Sequence, residues 1–170
     1  SITDNFATQE PFFIETGQAI PSGLSQARKD ELINMAQNML LKLGIKSGCI
    51  HFEAKSTPTG AMPIEINLRM GGDEVYYFIN EVWDVDLVEQ AAKIALGENV
   101  TAKRLENPIK YLAGSYFLPQ RSGYLSQIMI NNSLYKKSFL EEIQISKQIG
   151  EKISTPPINY DALGWITVSG

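Results

Sequence analysis

Two segments with alternating side chains, joined by a short turn, constrain the fold of this chain more than any other feature. Residues 48–55 read GCIHFEAK and residues 62–70 read MPIEINLRM, with STPTG at 56–60 between them. Alternation of polar and apolar residues is the pattern of a strand that packs one face on a core. Serine, threonine, proline and glycine favour turns. The sequence therefore predicts an antiparallel hairpin.

The predicted hairpin places polar side chains on one face and apolar side chains on the other. The apolar face carries Ile50, Phe52 and Ala54 from the first strand. We expect the chemistry on the opposite face, although no His–Asp set accompanies its cysteine to make a nucleophile. The polar face carries Cys49, His51, Glu53 and Lys55 from the first strand, and Glu65, Asn67 and Arg69 from the second.

Three oxygen-bearing side chains on the polar face, Glu53, Glu65 and Asn67, predict a divalent-cation site. Magnesium prefers oxygen ligands and is usually held by one or two carboxylates together with phosphate oxygens and water. A glutamate that faces Glu-x-Asn on the next strand could hold two such ions about 4 Å apart, bridged by one carboxylate. Arg69 would add a fork of donors for a phosphate or a developing oxyanion.

The double glycine Gly71–Gly72 follows the second strand and is expected to open a helix. Free backbone N–H groups there could cradle a carboxylate or a phosphate. Together these parts suit phosphoryl transfer, in which positioning and charge neutralisation supply most of the catalysis. The alternative is a solvated strand face, with Arg69 paired to Glu65 or Asp73 and the glycines in a plain turn. The coincidence of so many parts in one short segment favours the site.

The remainder of the chain alternates between predicted helices and strands. Helices are predicted where apolar residues recur every three or four positions after a capping residue. They are Ser25–Leu43, Asp73–Val82 and 86–96, the last opened by the capping box DLVE. Further strands are predicted at 11–17, 110–118 and 123–130, and in the tail segments IQISK and GWITV. The predicted fold class is α+β, a mostly antiparallel sheet flanked by the 25–43 and 86–96 helices.

The composition predicts a cytoplasmic protein of one domain, or of one domain with a small appendage. The 170 residues carry a net charge of −4 with scattered basic residues, which argues against a nucleic-acid partner. The one cysteine excludes an internal disulfide and fits a reducing compartment. No apolar run reaches the roughly 18–20 residues of a membrane span. No signal peptide is visible.

The polar residues of the hairpin also carry a family resemblance. Glu53, Glu65, Asn67 and Arg69, the last three within IEINLRMGG, resemble the metal-binding half of the ATP-grasp fold. Biotin carboxylase, carbamoyl phosphate synthetase and the amino-acid ligases share this pattern. The segment VDLVEQAAKIALG is similar to the helix that follows it, and YFLPQRSGYL resembles the small C-terminal subdomain. FFIETGQAIPSGL and IHFEAK most resemble the L-amino acid ligases and carnosine-synthase-like enzymes.

This resemblance implies an ATP-dependent carboxylate–amine ligase that forms a peptide bond. ATP would phosphorylate a small-molecule carboxylate to an acyl phosphate, and an amine would then attack it. Glu53 and Glu65 would ligate Mg²⁺ or Mn²⁺, and Asn67 would complete the second metal site. Arg69 would act as the catalytic residue that stabilises the transferring phosphoryl group or the tetrahedral intermediate.

Four neighbours of these residues are expected, from their positions, to bind substrate or cofactor. Gly71 and Gly72 would lie near the acceptor carboxylate and bind substrate. His51 and Lys55, which share the face of Glu53, would bind the nucleotide cofactor. For His51 the alternative is a purely structural role, which is common for a single histidine in a strand.

The resemblance also implies what the sequence lacks. In ATP-grasp enzymes an N-terminal lobe supplies the lysines that hold the ATP phosphates and the hinge that reads adenine, and nothing here resembles it. The chain is thus expected to be the C-terminal portion of a ligase, with the metal half at 1–105 and a small β-rich subdomain at 106–170. Alone it is expected to be inactive, and apolar surface left open by the missing lobe could drive homodimer formation.

The sequence is also compatible with two other functions. A degenerate ATP-grasp relative could serve as a non-catalytic binding or assembly module, although the intact metal-site residues argue against decay. An unrelated magnesium-dependent phosphotransferase or glycosyltransferase is the other alternative. Asp84-Val-Asp86 resembles the D-x-D motif of glycosyltransferases, but Asp86 already serves as a helix cap.

Overall fold

The computed structural model describes residues 1–8, 10–101 and 105–170, which form two compact units. The first unit contains Ser1–Ile2 and Gly23–Ile109, and the second contains Thr3–Ser22 and Lys110–Gly170. Residues 3–22 thus lie with the C-terminal part of the chain, and the functional division into 1–105 and 106–170 stays a prediction. In the described ranges, no helix combines the length and apolarity needed to cross a membrane.

All strand pairs in the described residues are antiparallel, and helices accompany them, which confirms the predicted α+β class. The strands are β1 (Asp4–Asn5), β2 (Gly17–Ile20), β3 (His51–Thr57), β4 (Gly60–Asn67), β5 (Leu112–Tyr116), β6 (Gly123–Tyr124), β7 (Leu140–Ile145), β8 (Lys152–Ile153) and β9 (Gly164–Ser169). The helices are α1 (Gln26–Lys42), α2 (Val75–Trp83) and α3 (Leu87–Ala95), with a 3₁₀ turn at Leu134–Lys136.

Helix α1 matches the predicted span because the sequence marks both of its ends. Ser25 stands at the N-cap in an extended conformation, although its side chain makes no capping hydrogen bond. At the other end Gly44 adopts φ +71°, a left-handed conformation that glycine reaches without strain. Its N–H donates to the Leu41 carbonyl at 3.1 Å, and the N–H of Ile45 donates to the Leu40 carbonyl at 3.0 Å. These two bonds form the Schellman motif that closes many helices.

The two later helices differ in how well their starts follow from sequence. Asp86 caps α3 as predicted, because its Oδ1 accepts the N–H of Glu89 at 2.9 Å. The prediction that Asp73 caps α2 is wrong. The helix begins at Val75 with Glu74 at the N-cap, and Asp73 precedes it in a left-handed conformation at φ 48°.

Two predicted strands are largely absent because the partners that strands need lie elsewhere. Residues 10–13 form a turn rather than part of a strand at 11–17, and Phe13 has φ 51°, which no strand accommodates. Ile14 forms a single bridge, and continuous pairing begins with β2, which runs alongside β5. The strand predicted at 123–130 is reduced to the two residues of β6, which pair with the two residues of β8. Local β-propensity does not make a strand without such a neighbour.

The second unit is built on a sheet in the order β1-β2-β5-β9-β7. The tail segment GWITV supplies its β9, which pairs with both β5 and β7. Trp165 of β9 is buried, and its Nε1–H donates to Thr167 Oγ1 at 2.7 Å. A Cβ atom built on Gly114 of β5 would overlap the Trp165 ring. The indole therefore occupies space that only a glycine at position 114 leaves open.

We expect Gly114→Ala to lower the free energy of unfolding by about 1–3 kcal/mol, because the added methyl group must displace a buried ring. The measurement is urea unfolding followed by far-UV circular dichroism. Gly123→Ala in β6 is the matched control, because a Cβ atom there meets open space. Equal losses in the two variants would show that the indole does not depend on the absence of a side chain at 114.

An ion-pair cluster ties together the loops that flank β8. Lys147 Nζ lies 2.9 Å from Asp161 Oδ1 and 3.0 Å from Glu151 Oε1. Asp161 Oδ2 also accepts the N–H of Ser154 at 2.8 Å. The hydrogen bond from Lys147, followed by that from the Ser154 backbone, lowers the pKa of the Asp161 carboxyl below its ordinary value. The hydrogen bond of Lys147 to Asp161, and after it the hydrogen bond to Glu151, raises the pKa of the Lys147 ammonium group above its ordinary value.

Because the pKa of Asp161 is lowered in the folded chain, its carboxylate stabilises the fold above the pKa of an unfolded aspartate, about 3.9. We expect Asp161→Asn to lower the thermal unfolding midpoint at pH 7. The difference from the wild type should shrink as the pH falls from about 4 through the folded pKa, where the wild type also becomes neutral. Thermal melts at a series of pH values test this, with Glu142→Gln as the exposed control. A difference that is constant with pH would contradict the electrostatic explanation.

Candidate functional site

The register of the β3–β4 hairpin brings the predicted polar residues together. Glu53 lies directly opposite Glu65, and His51 lies directly opposite Asn67. Residues that are directly opposite in an antiparallel pair have side chains on the same face of the sheet. The two carboxylates, the imidazole and the amide therefore share one face at the end of the hairpin where β3 begins and β4 ends.

A β-bulge lies immediately beside the carboxylate pair and was missed at the sequence level. Glu53 lies opposite Glu65, but Ala54 lies opposite Pro63, so Ile64 is the extra residue. The simple alternation expected through MPIEINLRM therefore stops at residue 65, and Ile64 is exposed. Pro63 was the available signal, because proline within a strand is confined to edges and bulges. Bulges often re-aim side chains next to functional sites.

The imidazole of His51 is hydrogen-bonded to one carboxylate of the pair. Its Nε2 lies 3.2 Å from Glu53 Oε1, and 28% and 32% of the two side chains are exposed. Across the hairpin, the Nδ2 of Asn67 is buried and finds no hydrogen-bond partner in the described residues. A buried amide N–H without an acceptor is costly. Such a group is more readily explained if a ligand supplies the missing acceptor.

Arg69 does not lie on the strand face where the sequence predicted it. Strand β4 ends at Asn67, because β3 starts at His51 and offers no further residue to pair with. Arg69 is exposed in the following loop, and its Nη1 donates to the Met70 carbonyl at 2.8 Å. The placement on the strand is therefore wrong, whereas the catalytic role of Arg69 stays a prediction.

The two glycines also differ in position from the expectation. Helix α2 begins at Val75, so Gly71 and Gly72 belong to the preceding loop rather than to the start of the helix. A Cβ atom on Gly71 would come within 2.8 Å of Val75 Cγ1 and 3.0 Å of His51 Nδ1. A Cβ atom on Gly72 would meet nothing within 4 Å. Gly71 is thus closely packed, first against the γ-methyl groups of Val75 and then against His51, whereas Gly72 is not.

Lys55 and Cys49 lie at the margins of this face. Lys55 is exposed on β3, opposite Met62 on the far side of the bulge. Cys49 precedes β3, and its Sγ lies 3.8 Å from the Leu87 carbonyl at the start of α3. Neither contact assigns a chemical role, and the nucleotide-binding role of Lys55 stays a prediction.

The oxygen atoms of Glu53, Glu65 and Asn67 suit magnesium better than a metal ion that takes all of its ligands from the protein. The described ranges contain no group of three or more histidine, cysteine, aspartate or glutamate side chains that could hold a metal ion. The predicted set has two carboxylates, Glu53 and Glu65, and the amide of Asn67. Magnesium is commonly held by one or two carboxylates and completes its shell with substrate phosphates and water. Metal binding here stays a prediction that this chemistry allows.

Several curated proteins resemble the chain in sequence, whereas no family model matches it. It is 32% identical over 122 residues to carnosine synthase 1 of Gallus gallus, covering 72% of this chain and 13% of that protein. It is 35% identical over 96 residues to carnosine synthase 1 of Homo sapiens, covering 56% of this chain and 12% of that protein. The chain thus spans about one eighth of the length of these relatives.

Solved structures resemble the chain over nearly its whole length. The L-amino acid ligase of Bacillus licheniformis has a TM-score of 0.82 and 21% identity, covering 95% of this chain and 40% of that one. Phosphoribosylglycinamide synthetase of Anaerococcus prevotii has a TM-score of 0.78 and 16% identity, covering 98% and 43%. A biotin carboxylase domain of Hydrogenobacter thermophilus 2-oxoglutarate carboxylase, in complex with MgADP and bicarbonate, has a TM-score of 0.67 and 13% identity, covering 99% and 37%.

The structural matches show that the chain has the architecture of part of an ATP-grasp fold. The sequence matches then narrow the family. The chain is related to the ATP-grasp carboxylate–amine ligases, which confirms the resemblance carried by IEINLRMGG.

We expect Gly71→Ala to move the imidazole of His51, because a methyl group at position 71 would crowd the γ-methyl groups of Val75 and lie 3.0 Å from Nδ1. His51 is the single histidine of the chain, so its ring gives one Cε1–Hε1 signal in a ¹H–¹³C correlation spectrum. That signal should shift in Gly71→Ala and stay in place in the matched control Gly72→Ala. An unchanged signal in Gly71→Ala would show that the loop does not pack against the ring.

Proposed function

We propose that the protein is an ATP-dependent carboxylate–amine ligase that acts through an acyl phosphate, with this chain carrying the metal- and phosphate-binding half of the site. The observation that carries the proposal is the opposition of Glu53 to Glu65, with His51 opposite Asn67. It occurs in a chain that is 32% identical to a carnosine synthase over 122 residues. The pairing supports a shared cation site, and the relationship supports the reaction.

The metal site would be formed by the facing carboxylates. Glu53 and Glu65 would hold Mg²⁺ or Mn²⁺, and the Oδ1 of Asn67 would complete the second position. The ions would neutralise charge on the phosphoryl group as it transfers. The biotin carboxylase domain crystallised with MgADP supports this cofactor. The Nδ2 of Asn67, which lacks a partner in the described residues, would then donate to a phosphate oxygen.

The loop after β4 would bind the transferring group and the substrate carboxylate. The exposed guanidinium of Arg69 is bonded to the neighbouring Met70 carbonyl, an exposed contact that a phosphate oxygen can replace. The N–H groups of Gly71 and Gly72 would face the acceptor carboxylate. Lys55, exposed on the same strand as Glu53, would add a positive charge for the nucleotide.

The proposed reaction has two displacements. A carboxylate oxygen of the first substrate attacks the γ-phosphorus of ATP, and ADP leaves. The amine nitrogen of the second substrate then attacks the carbonyl carbon of the acyl phosphate. Inorganic phosphate leaves, and the nitrogen loses a proton as the amide forms. Arg69 would stabilise the negative oxygens in both steps.

The remaining parts of the site would come from elsewhere in the protein. The chain spans 13% of the chicken carnosine synthase it matches, so the adenine-binding lobe is proposed rather than described. That the 170 residues alone do not turn over ATP stays a prediction. A cytoplasmic location, a homodimer and the absence of nucleic-acid partners also stay predictions.

We expect Glu65→Gln to reduce coupled ADP release and amide formation by about 100-fold or more, the scale on which loss of one charge-stabilising group lowers turnover. The assay uses the protein as produced from its gene, with Mg-ATP and a panel of amino acids as carboxylate and amine donors. Glu142→Gln, a neutralised glutamate exposed on β7 in the second unit, is the control and should retain activity.

Three outcomes would reject the proposal. Nucleotide binding without turnover on any carboxylate and amine pair would favour a non-catalytic module. Transfer of phosphate to an acceptor that is not a carboxylate would favour an unrelated phosphotransferase. Equal activity of the wild type and Glu65→Gln would remove the carboxylate pair from the mechanism.

A further inference from the structure

One side chain connects the glycine loop to the carboxylate pair. His51 lies at the start of β3, and its Nε2 reaches Glu53 Oε1 at 3.2 Å. An ionised carboxylate can only accept hydrogen bonds, so Nε2 of the ring is the donor whenever Glu53 carries its charge. The bond engages Oε1 of Glu53 on the face that the residue shares with Glu65.

The opposite edge of the ring lies next to the glycine loop. The Nδ1 of His51 faces Gly71, where an added Cβ would lie 3.0 Å away. The same Cβ would lie 2.8 Å and 2.9 Å from the two γ-methyl groups of Val75. The loop backbone therefore lies close against both the imidazole and the first residue of α2. The imidazole thus bonds to a carboxylate at one edge and lies close to the loop at the other.

We infer that His51 is a positioning residue that holds Glu53 for the cation, rather than a group that contacts the nucleotide. The inference rests on the proposed function, because it assumes that Glu53 is a metal ligand. It replaces the nucleotide-binding role expected for His51 with a role exerted through Glu53. Gly71 takes part because a side chain there would crowd both Val75 and the ring.

Hydrogen bonds to a ligating carboxylate restrict its orientation, and their loss typically costs about 10- to 100-fold in metal affinity. His51→Leu removes the donor while keeping a branched apolar side chain of similar bulk. His51→Gln keeps an N–H donor at a similar reach from the strand. The two variants therefore separate the hydrogen bond from the volume of the ring.

The test measures Mn²⁺ binding by electron paramagnetic resonance, using the protein as produced from its gene and a non-hydrolysable imido analogue of ATP. We expect His51→Leu to raise the Kd for Mn²⁺ by about 10- to 100-fold and His51→Gln to recover most of the affinity. Binding of the analogue in the presence of EDTA should be the same in both variants as in the wild type. Circular dichroism checks that each variant is folded.

The possible failures are distinguishable. If Glu53→Gln weakens Mn²⁺ binding but His51→Leu does not, the positioning role is wrong and the proposed function stands. If neither Glu53→Gln nor Glu65→Gln weakens it, the metal site itself is wrong. If His51→Leu weakens analogue binding without metal, the ring contacts the nucleotide, and the inference is overturned.

A second variant keeps the inference testable if His51→Leu does not fold. Gly71→Ala retains the imidazole but displaces it, so it should also weaken Mn²⁺ binding. The change in affinity should accompany the shift of the His51 ring signal. A shifted signal with unchanged Mn²⁺ affinity would overturn the inference, because the ring would then move without any effect on Glu53.

Discussion

The face-to-face placement of Glu53 and Glu65 is the constraint on which the site depends. Two like charges directly opposite on neighbouring strands destabilise the pair. A fold that keeps them there therefore gains if a cation joins them, and a divalent oxygen-seeking ion is the simplest such partner. The hydrogen bond from His51 to Glu53 satisfies one oxygen without separating the carboxylates. The hairpin thus holds the charges together, and the proposed ion would relieve their repulsion.

The bulge at Ile64 explains how the hairpin isolates this pair from the rest of the strand. Without it, the alternation of β4 would continue through Pro63 and place the next polar-face position at that residue. The extra residue shifts the register, so that Met62 lies opposite Lys55 instead. A bulge also increases the local twist of the strand. The carboxylate pair therefore lies between the bulge and the end of β4, after which the loop carries Arg69.

The sequence predicted the features that depend on interactions between residues close together in the chain, and it failed for those that depend on distant partners. The ends of α1 and the cap of α3 depend on neighbours within five residues, and both were predicted. The facing of Glu53 and Glu65 also followed, because alternation fixes which side chains share a face. The end of β4 before Arg69 did not follow, because it depends on where the partner strand starts. The strand expected at 11–17 failed for the same reason, since pairing partners are set by tertiary structure.

The double glycine shows why motif spacing alone gives an incomplete account of a site. Both residues look alike in the sequence, and both suggest a flexible loop that cradles an anion. In the structure only Gly71 is closely packed, and its contacts are His51 and Val75 rather than open space. Its lack of a side chain is therefore a packing requirement, whereas Gly72 keeps an open approach to its backbone. A loop whose first glycine is packed against the ring that holds a carboxylate, and whose second is accessible, would combine a defined position with room for a substrate.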